Sequence, residues 1–432
     1  MKPKILMTLN PRTLKALALI FSLDVFLGSQ AFGCPGFLAA EKTFPALEGT
    51  RKDIRLYKIS ASDQWDQVPV QVEPLNEENL LDLPEDQDPM DIKMQPTDRI
   101  VYRPEDFGKR HSSLELPCKA KQMLEIKLAN DTYGYLVTCN DPSATISRFQ
   151  QDVTHTQEKF IVESDLYSYQ YLENNQLMYK YFSMQDPDTG QRVIGGSDAN
   201  MLIYLDLRNF FTLALENEQV RSIVSGTWTG PLGTISNVSF YLNLFLLKLD
   251  LKMDSSISFY KNSAMIPMKF EAPAHSPNIL NEGAGILYYW KNEGTTIDQS
   301  QPQNTLPNAN TKVALESYKE LAKIGLSYCK EDKCKFVLKG ELTKNKFAIE
   351  LVVPKYMVED GFFPMYVGDT KKFVKDMQWD ALQEKAPMIG IYYNNSGLRK
   401  GMHEMSQWIR TGEQDFAKTC PEHGEIKRVI IR

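Results

Sequence analysis

Histidine is scarce in this sequence, with five residues in a chain of 432. Zinc sites need clustered Cys and His pairs, usually with two to four residues between pair members. No second pair stands at matching spacing here, which points away from a metal centre. His403-Glu404-Met405-Ser406-Gln407 begins like a zinc-protease helix but lacks the second His. No Gly-x-Ser-x-Gly elbow and no Gly-rich phosphate loop occurs, so serine-hydrolase and nucleotide-binding chemistry have no motif and no cofactor is expected. Dense Lys/Arg runs are also missing, and the formal net charge is −6. An acidic surface argues against nucleic acid and anionic lipid as partners. The apolar stretch near the start is shorter than the ~20 residues a membrane helix needs, so no transmembrane span is expected in the mature chain. Evenly repeated strands of ~10 residues, the sign of an outer-membrane barrel, are missing, and there is no internal repeat.

What is present starts with an export signal. Lys2, Lys4, Arg12 and Lys15 precede the apolar run Ala16-Leu17-Ala18-Leu19-Ile20-Phe21-Ser22-Leu23, and small residues Gly28, Ser29, Ala31 and Gly33 follow. A positive front, a short apolar centre and a small-residue cut site make residues 1–33 a signal peptide. A periplasmic or extracellular location follows. Ala31-Phe32-Gly33-Cys34 also has the outline of a lipoprotein box acylated at Cys34, although Phe32 is large for that role.

The six cysteines, Cys34, Cys118, Cys139, Cys329, Cys334 and Cys420, fit an exported chain with disulfides. Cys329 and Cys334 flank the polar turn Lys330 to Lys333 between two strand-like runs, which sets them opposite each other. Cys118 and Cys139 bracket a hairpin with arms Met123 to Leu128 and Tyr135 to Thr138. Cys34 and Cys420 remain as the third pair, and that pairing requires Cys34 to be a free thiol rather than a lipid anchor.

Apolar content of 42% and charged content of 24% suit a globular protein rather than a disordered one, and the length suits two or three domains. The fold class is mainly β: two β-sandwich-like antiparallel modules plus a smaller C-terminal β region with one or two helices. Residues 34–150 form an N-terminal β-sandwich module of short strands and turns. Residues 151–295 form a central antiparallel β domain, in which Leu247, Leu249, Leu251 and Met253 alternate with Lys248, Asp250, Lys252 and Asp254. Residues 296–311 are a polar linker or long loop, and 312–432 a C-terminal α+β region with an amphipathic helix over 312–325. In the acidic, Pro-rich stretch Asp82 to Asp98, Pro89 and the missing Gly defeat the pattern of a calcium loop, and a solvated loop is expected.

Trp65-Asp66-Gln67-Val68-Pro69-Val70-Gln71-Val72, Asp98-Arg99-Ile100-Val101-Tyr102 and Asp106-Phe107-Gly108 resemble a pattern in a family of secreted bacterial β-rich proteins of unassigned function. Tyr133-Gly134-Tyr135-Leu136 and Gly230-Pro231-Leu232 match it too. Relatives often carry an Arg soon after that Gly-Pro, where Gly233 stands here. The resemblance covers about a third of the chain and brings no catalytic residue with it. It implies a neighbourhood of polysaccharide-handling proteins. On their own chemistry, Trp65, Val68, Val70 and Val72 read as core, and Asp98 and Asp106 as turn-fixing residues.

The best ligand-stacking candidates are Tyr167, Tyr169 and Tyr171. They sit on a hairpin expected to turn at Asn174-Asn175, which pairs Tyr171 with Met178 and Leu172 with Leu177. That register puts Tyr179 and Tyr181 on the opposite face. Core packing and sugar stacking both fit the stripe. Catalytic residues cannot be named, because glycosidase carboxylates are defined in space and 55 acidic residues always offer a plausible pair. The reading is an exported envelope or secreted protein with a non-enzymatic binding or structural role, its partner a glycan or another envelope component. The alternative is a polysaccharide-active lyase or hydrolase.

Overall fold

Alternation of apolar and polar residues recurs along the chain, and the protein is accordingly mainly β, built from antiparallel ladders. The computed structural model describes residues 35–42, 49–111, 118, 120, 122–139, 149–156, 159–173, 175–206, 212–244, 247–272, 285–293, 296–297, 327–342, 344–359, 362–367, 388–394, 399–411 and 425–430. The signal peptide expected over 1–33, the expected Cys34–Cys420 pair and the helix expected over 312–325 lie outside these residues. One α-helix, Lys355–Glu359, occurs among them.

Two small sheets form the first module. One runs Gly36–Ala39, Arg99–Tyr102, Val70–Glu73; the other runs Glu425–Ile430, Gln122–Lys127, Tyr133–Thr138, Ile54–Ile59, Trp65–Val68. Leu38, Val72 and Ile100 from the first meet Ile54, Leu56, Leu124, Ile126 and Leu136 from the second in one core. Pro69 falls between Trp65–Val68 and Val70–Glu73, where the chain leaves one sheet for the other. Proline has no N–H for a ladder, so it belongs at such a crossing. Cys118 and Cys139 are bonded beside the hairpin, their Cα atoms 5.7 Å apart.

Two nine-stranded sheets form the second module. The first runs Phe362–Val367, Met388–Asn394, Gly285–Asn292, Arg192–Asp206, Asn175–Gln185, Tyr167–Leu172, Ile161–Ser164, Val153–Thr156, with Thr212–Leu215 beside Arg192–Asp206. The second runs Val220–Thr229, Gly233–Leu244, Leu247–Tyr260, Ser263–Ala272, Gly401–Thr411, Asn345–Pro354, Lys333–Leu342, Thr296–Ile297, with Ser327–Lys330 beside Lys333–Leu342. Tyr169, Phe182, Leu287 and Trp290 of the first share a core with Phe240, Phe259, Phe347 and Ile349 of the second, so the pair is a sandwich. The boundary expected at 296–311 separates stretches of sequence, not sheets: each large sheet joins a block of strands from before it to a block from after it. Glu425–Ile430 goes further and joins the first module. Cys329 and Cys334 are directly paired and bonded, their Cα atoms 4.0 Å apart. The turn between them is shorter than expected, because Lys330 already pairs with Lys333.

The modules join through a polar chain. Gln71 is buried and its side-chain oxygen accepts from the Leu232 and Gly233 amides at 3.0 and 2.9 Å. Its amide nitrogen donates to Glu73 at 3.0 Å. Glu73 also accepts from Arg99 Nε at 2.6 Å and from the Tyr260 hydroxyl at 2.8 Å. Tyr260 offers its carbonyl to the Tyr167 hydroxyl at 2.5 Å, which carries the chain into the first large sheet. Segments singled out by the resemblance therefore meet at one junction, although they lie as much as 162 residues apart. Asp98 does fix a turn, accepting from the Gln95 amide at 2.8 Å, and it also holds Arg51 in a fully buried, two-pronged ion pair at 2.8 and 2.9 Å. Asp106 binds Arg103 at 2.7 Å.

Candidate functional site

The tyrosine stripe faces inward. Tyr167 and Tyr169 are 1% and 3% exposed, and Tyr171 is half-buried against the same core. Tyr169 stacks on Phe182 with centroids 4.9 Å apart, and Tyr171 meets Phe259 at 6.0 Å. Burial pushes all three hydroxyls well above the ordinary tyrosine range. The gap left between these rings is about 30 Å³, room for one water and not for a sugar. Tyr167 and Tyr169 are core, and Tyr171 packs half-buried against them.

The expected hairpin register is also corrected. Tyr171 pairs with Tyr179 and Leu172 with Asn175, with irregularities on either side of Tyr171. A bulge reverses the facing of the residues beyond it, so Tyr179 turns inward, 6.1 Å from Tyr169. Lys180 is exposed, and Tyr181 pairs with Gln170. Asn175 is no free turn residue: it is buried and donates to the Val220 carbonyl of the other sheet at 2.6 Å.

Open space lies instead on the outer side of the second large sheet. Pro267 sits mid-strand in Ser263–Ala272, and the ladder to Leu247–Tyr260 is interrupted there, between the pairs Asp254–Lys269 and Ser258–Met265. A proline cannot donate to that ladder. Over the gap lies a hollow of about 240 Å³ whose walls come from both modules: Glu78, Asn79, Leu80 and Arg99 from the first, and Asp254, Ser255, Ser256, Lys269, Lys333, Glu404 and Ser406 from the sheet. Lys269 reaches Glu404 at 3.5 Å and the Glu78 carbonyl at 3.2 Å. Burial works against the charge of Arg99, but Glu73 and Tyr260 outweigh it and raise its pKa.

A second hollow of about 550 Å³ adjoins the first, with Lys333 and Glu404 in the walls of both. It is completed by Asp332, Lys355, Tyr356, Glu359, Arg399, Met402 and His403. Gly401–Thr411 is a strand, not the helix that His403-Glu404 superficially suggests. Successive side chains of a strand point to opposite faces, so His403 turns inward at 5% exposure and Glu404 outward. His403 Nε2 lies 2.6 Å from the Arg399 carbonyl. A carbonyl only accepts, so Nε2 carries the proton and Nδ1 is left as an acceptor. The Tyr356 hydroxyl donates to that Nδ1. The Arg399 guanidinium lies over the Tyr356 ring, 4.6 Å from its centroid. Met402 is 63% exposed at the rim and offers an apolar contact to whatever enters.

Sequence reasoning reached His403 and Glu404 only as a failed metal motif and missed Lys333, Tyr356 and Arg399. The available signal was the period of two across residues 401–411, which splits His403 from Glu404. Among the described residues no three His, Cys, Asp or Glu side chains gather as a metal site, and no helix is long and apolar enough to cross a membrane.

Fold and groove together define a two-sandwich β protein with a cleft between and beside its modules. No family model matches the chain, and no curated protein matches it. Among solved structures it is similar to a bacterial glucoamylase complexed with acarbose, at 9% identity and a TM-score of 0.23. The match covers 72% of this chain and 36% of that one, so it spans about a third of the enzyme's length, and a likeness that faint carries no functional argument.

Proposed function

We propose that this protein is exported to the cell envelope or the exterior and holds a glycan in the groove formed by the two adjoining hollows. The observation that carries the reading is that Lys333 and Glu404 wall both hollows, so the two can serve successive units of one polymer. Each hollow presents three cations and three carboxylates, beside serine hydroxyls in one and an exposed Met402 in the other. That mixture suits hydroxyl-rich ligands, which both accept and donate hydrogen bonds and carry apolar C–H faces. Export is supported by the N-terminal signal and by two disulfides, which persist in oxidising compartments.

The test is a glycan array followed by calorimetric titration of the best hits against wild type and a Lys333→Ala/Glu404→Ala variant. Both side chains sit on the groove wall, and Lys333 and Glu404 are exposed, so the variant should fold. Affinity should fall about tenfold or more, since each lost charge-assisted hydrogen bond is worth about 1.5–3 kcal/mol. An empty array, or binding that the double variant leaves intact, overturns the reading.

A further inference from the structure

Resting on the glycan groove just described, we infer that the larger hollow is also a reaction site, in which Tyr356 and His403 work as a proton-transfer pair for β-elimination in a polysaccharide whose sugars carry carboxylates. Three observations converge. The Tyr356 hydroxyl is hydrogen-bonded to a ring nitrogen, His403 Nδ1. The far nitrogen is fixed by the Arg399 carbonyl at 2.6 Å, so the acceptor is itself oriented, as an acid–base pair requires. The Arg399 guanidinium lies 4.6 Å from the Tyr356 ring centroid, a fixed cation over the face of that ring. Tyr356 is half-buried, and both residues wall the hollow of about 550 Å³ with Lys333 and Lys355.

Proton and electron balance close within the pair. Tyr356 passes its hydroxyl proton to His403 Nδ1, and the phenolate takes the proton from the carbon bearing the sugar carboxylate. The electrons of that C–H bond become a carbon–carbon double bond as the bond from the neighbouring carbon to the glycosidic oxygen breaks. The departing oxygen takes the proton back from Tyr356, which is restored by His403. Arg399, Lys333 and Lys355 counter the charge that builds on the carboxylate. Nothing is oxidised or reduced overall, and no co-reactant is consumed.

The experiment incubates the full chain with polygalacturonate, alginate and hyaluronan, measuring binding by titration and the conjugated double bond by ultraviolet absorbance. Wild type should release unsaturated ends from at least one of them. Tyr356→Phe keeps the ring under Arg399 and should lower that rate about 100-fold or more with binding unchanged. His403→Gln, at a residue acting through Tyr356, should lower kcat while leaving KM within about threefold. Binding without any unsaturated product, or full turnover by Tyr356→Phe, overturns the inference and leaves the glycan reading standing. If none of the three binds and the array is empty, the glycan reading fails as well.

Discussion

Gly233 has no room for a side chain. A Cβ there would stand 2.2 Å from the Phe259 carbonyl oxygen and 2.7 Å from the Tyr260 ring, while its amide is tied to Gln71. The Arg carried near this point by the resembling family cannot be accommodated at 233 in this chain. Gly233→Ala should therefore lower stability by about 1–3 kcal/mol, read as a shift in the urea midpoint; an unchanged midpoint would show that the strand yields without strain. Asp98 makes a second residue-scale case. It is fully buried and holds Arg51 at both prongs. Asp98→Ala leaves a buried guanidinium uncompensated, so about 3–5 kcal/mol should be lost. Removing both charges with Arg51→Met/Asp98→Leu should recover much of that loss. Equal midpoints for the single and double variants would contradict the argument.

At the scale of strands and hairpins, what was legible in the sequence is what bonds locally. The pairs Cys118–Cys139 and Cys329–Cys334 span 21 and 5 residues, and the flanking alternation showed their hairpins. The order of strands was not legible. Gly401–Thr411 lies between Ser263–Ala272 and Asn345–Pro354, and a period of two tells which face is wet but not which strand is next door. The bulge beside Tyr179 was hidden for the same reason: one extra residue changes facing without changing composition. The groove stayed hidden because Tyr356 and His403 are 47 positions apart, and the helix Lys355–Glu359 is too short to show a period. Loop length ranks the two crosslinks. Closing the longer loop limits the unfolded chain more, so replacing Cys118 and Cys139 by Ser should lose about 3 kcal/mol and replacing Cys329 and Cys334 about 2. Equal losses, or the reverse order, in paired denaturation curves would count against that ranking.

Many of the described tyrosines lie buried in the core. Burial raises Tyr102, Tyr135 and Tyr392 to about 12, against an ordinary value of 10 in the unfolded chain. Between these limits the unfolded chain has lost protons that the folded chain keeps. Stability is thus full below pH 10 and declines as pH rises toward 12. Tyrosinate absorbance and the loss of β circular dichroism should rise together in one alkaline transition. Tyrosinate formation well before the loss of β signal would show that these rings titrate in the folded protein.

Glu425–Ile430 supplies the outer strand of the five-stranded sheet, against Gln122–Lys127. The module that is translated first thus waits for a segment made some three hundred residues later, and the flank of Gln122–Lys127 stays unsatisfied through synthesis. A nick or fusion between 411 and 425 would strike a piece of the opening module, so damage introduced late in the chain should be felt at its beginning.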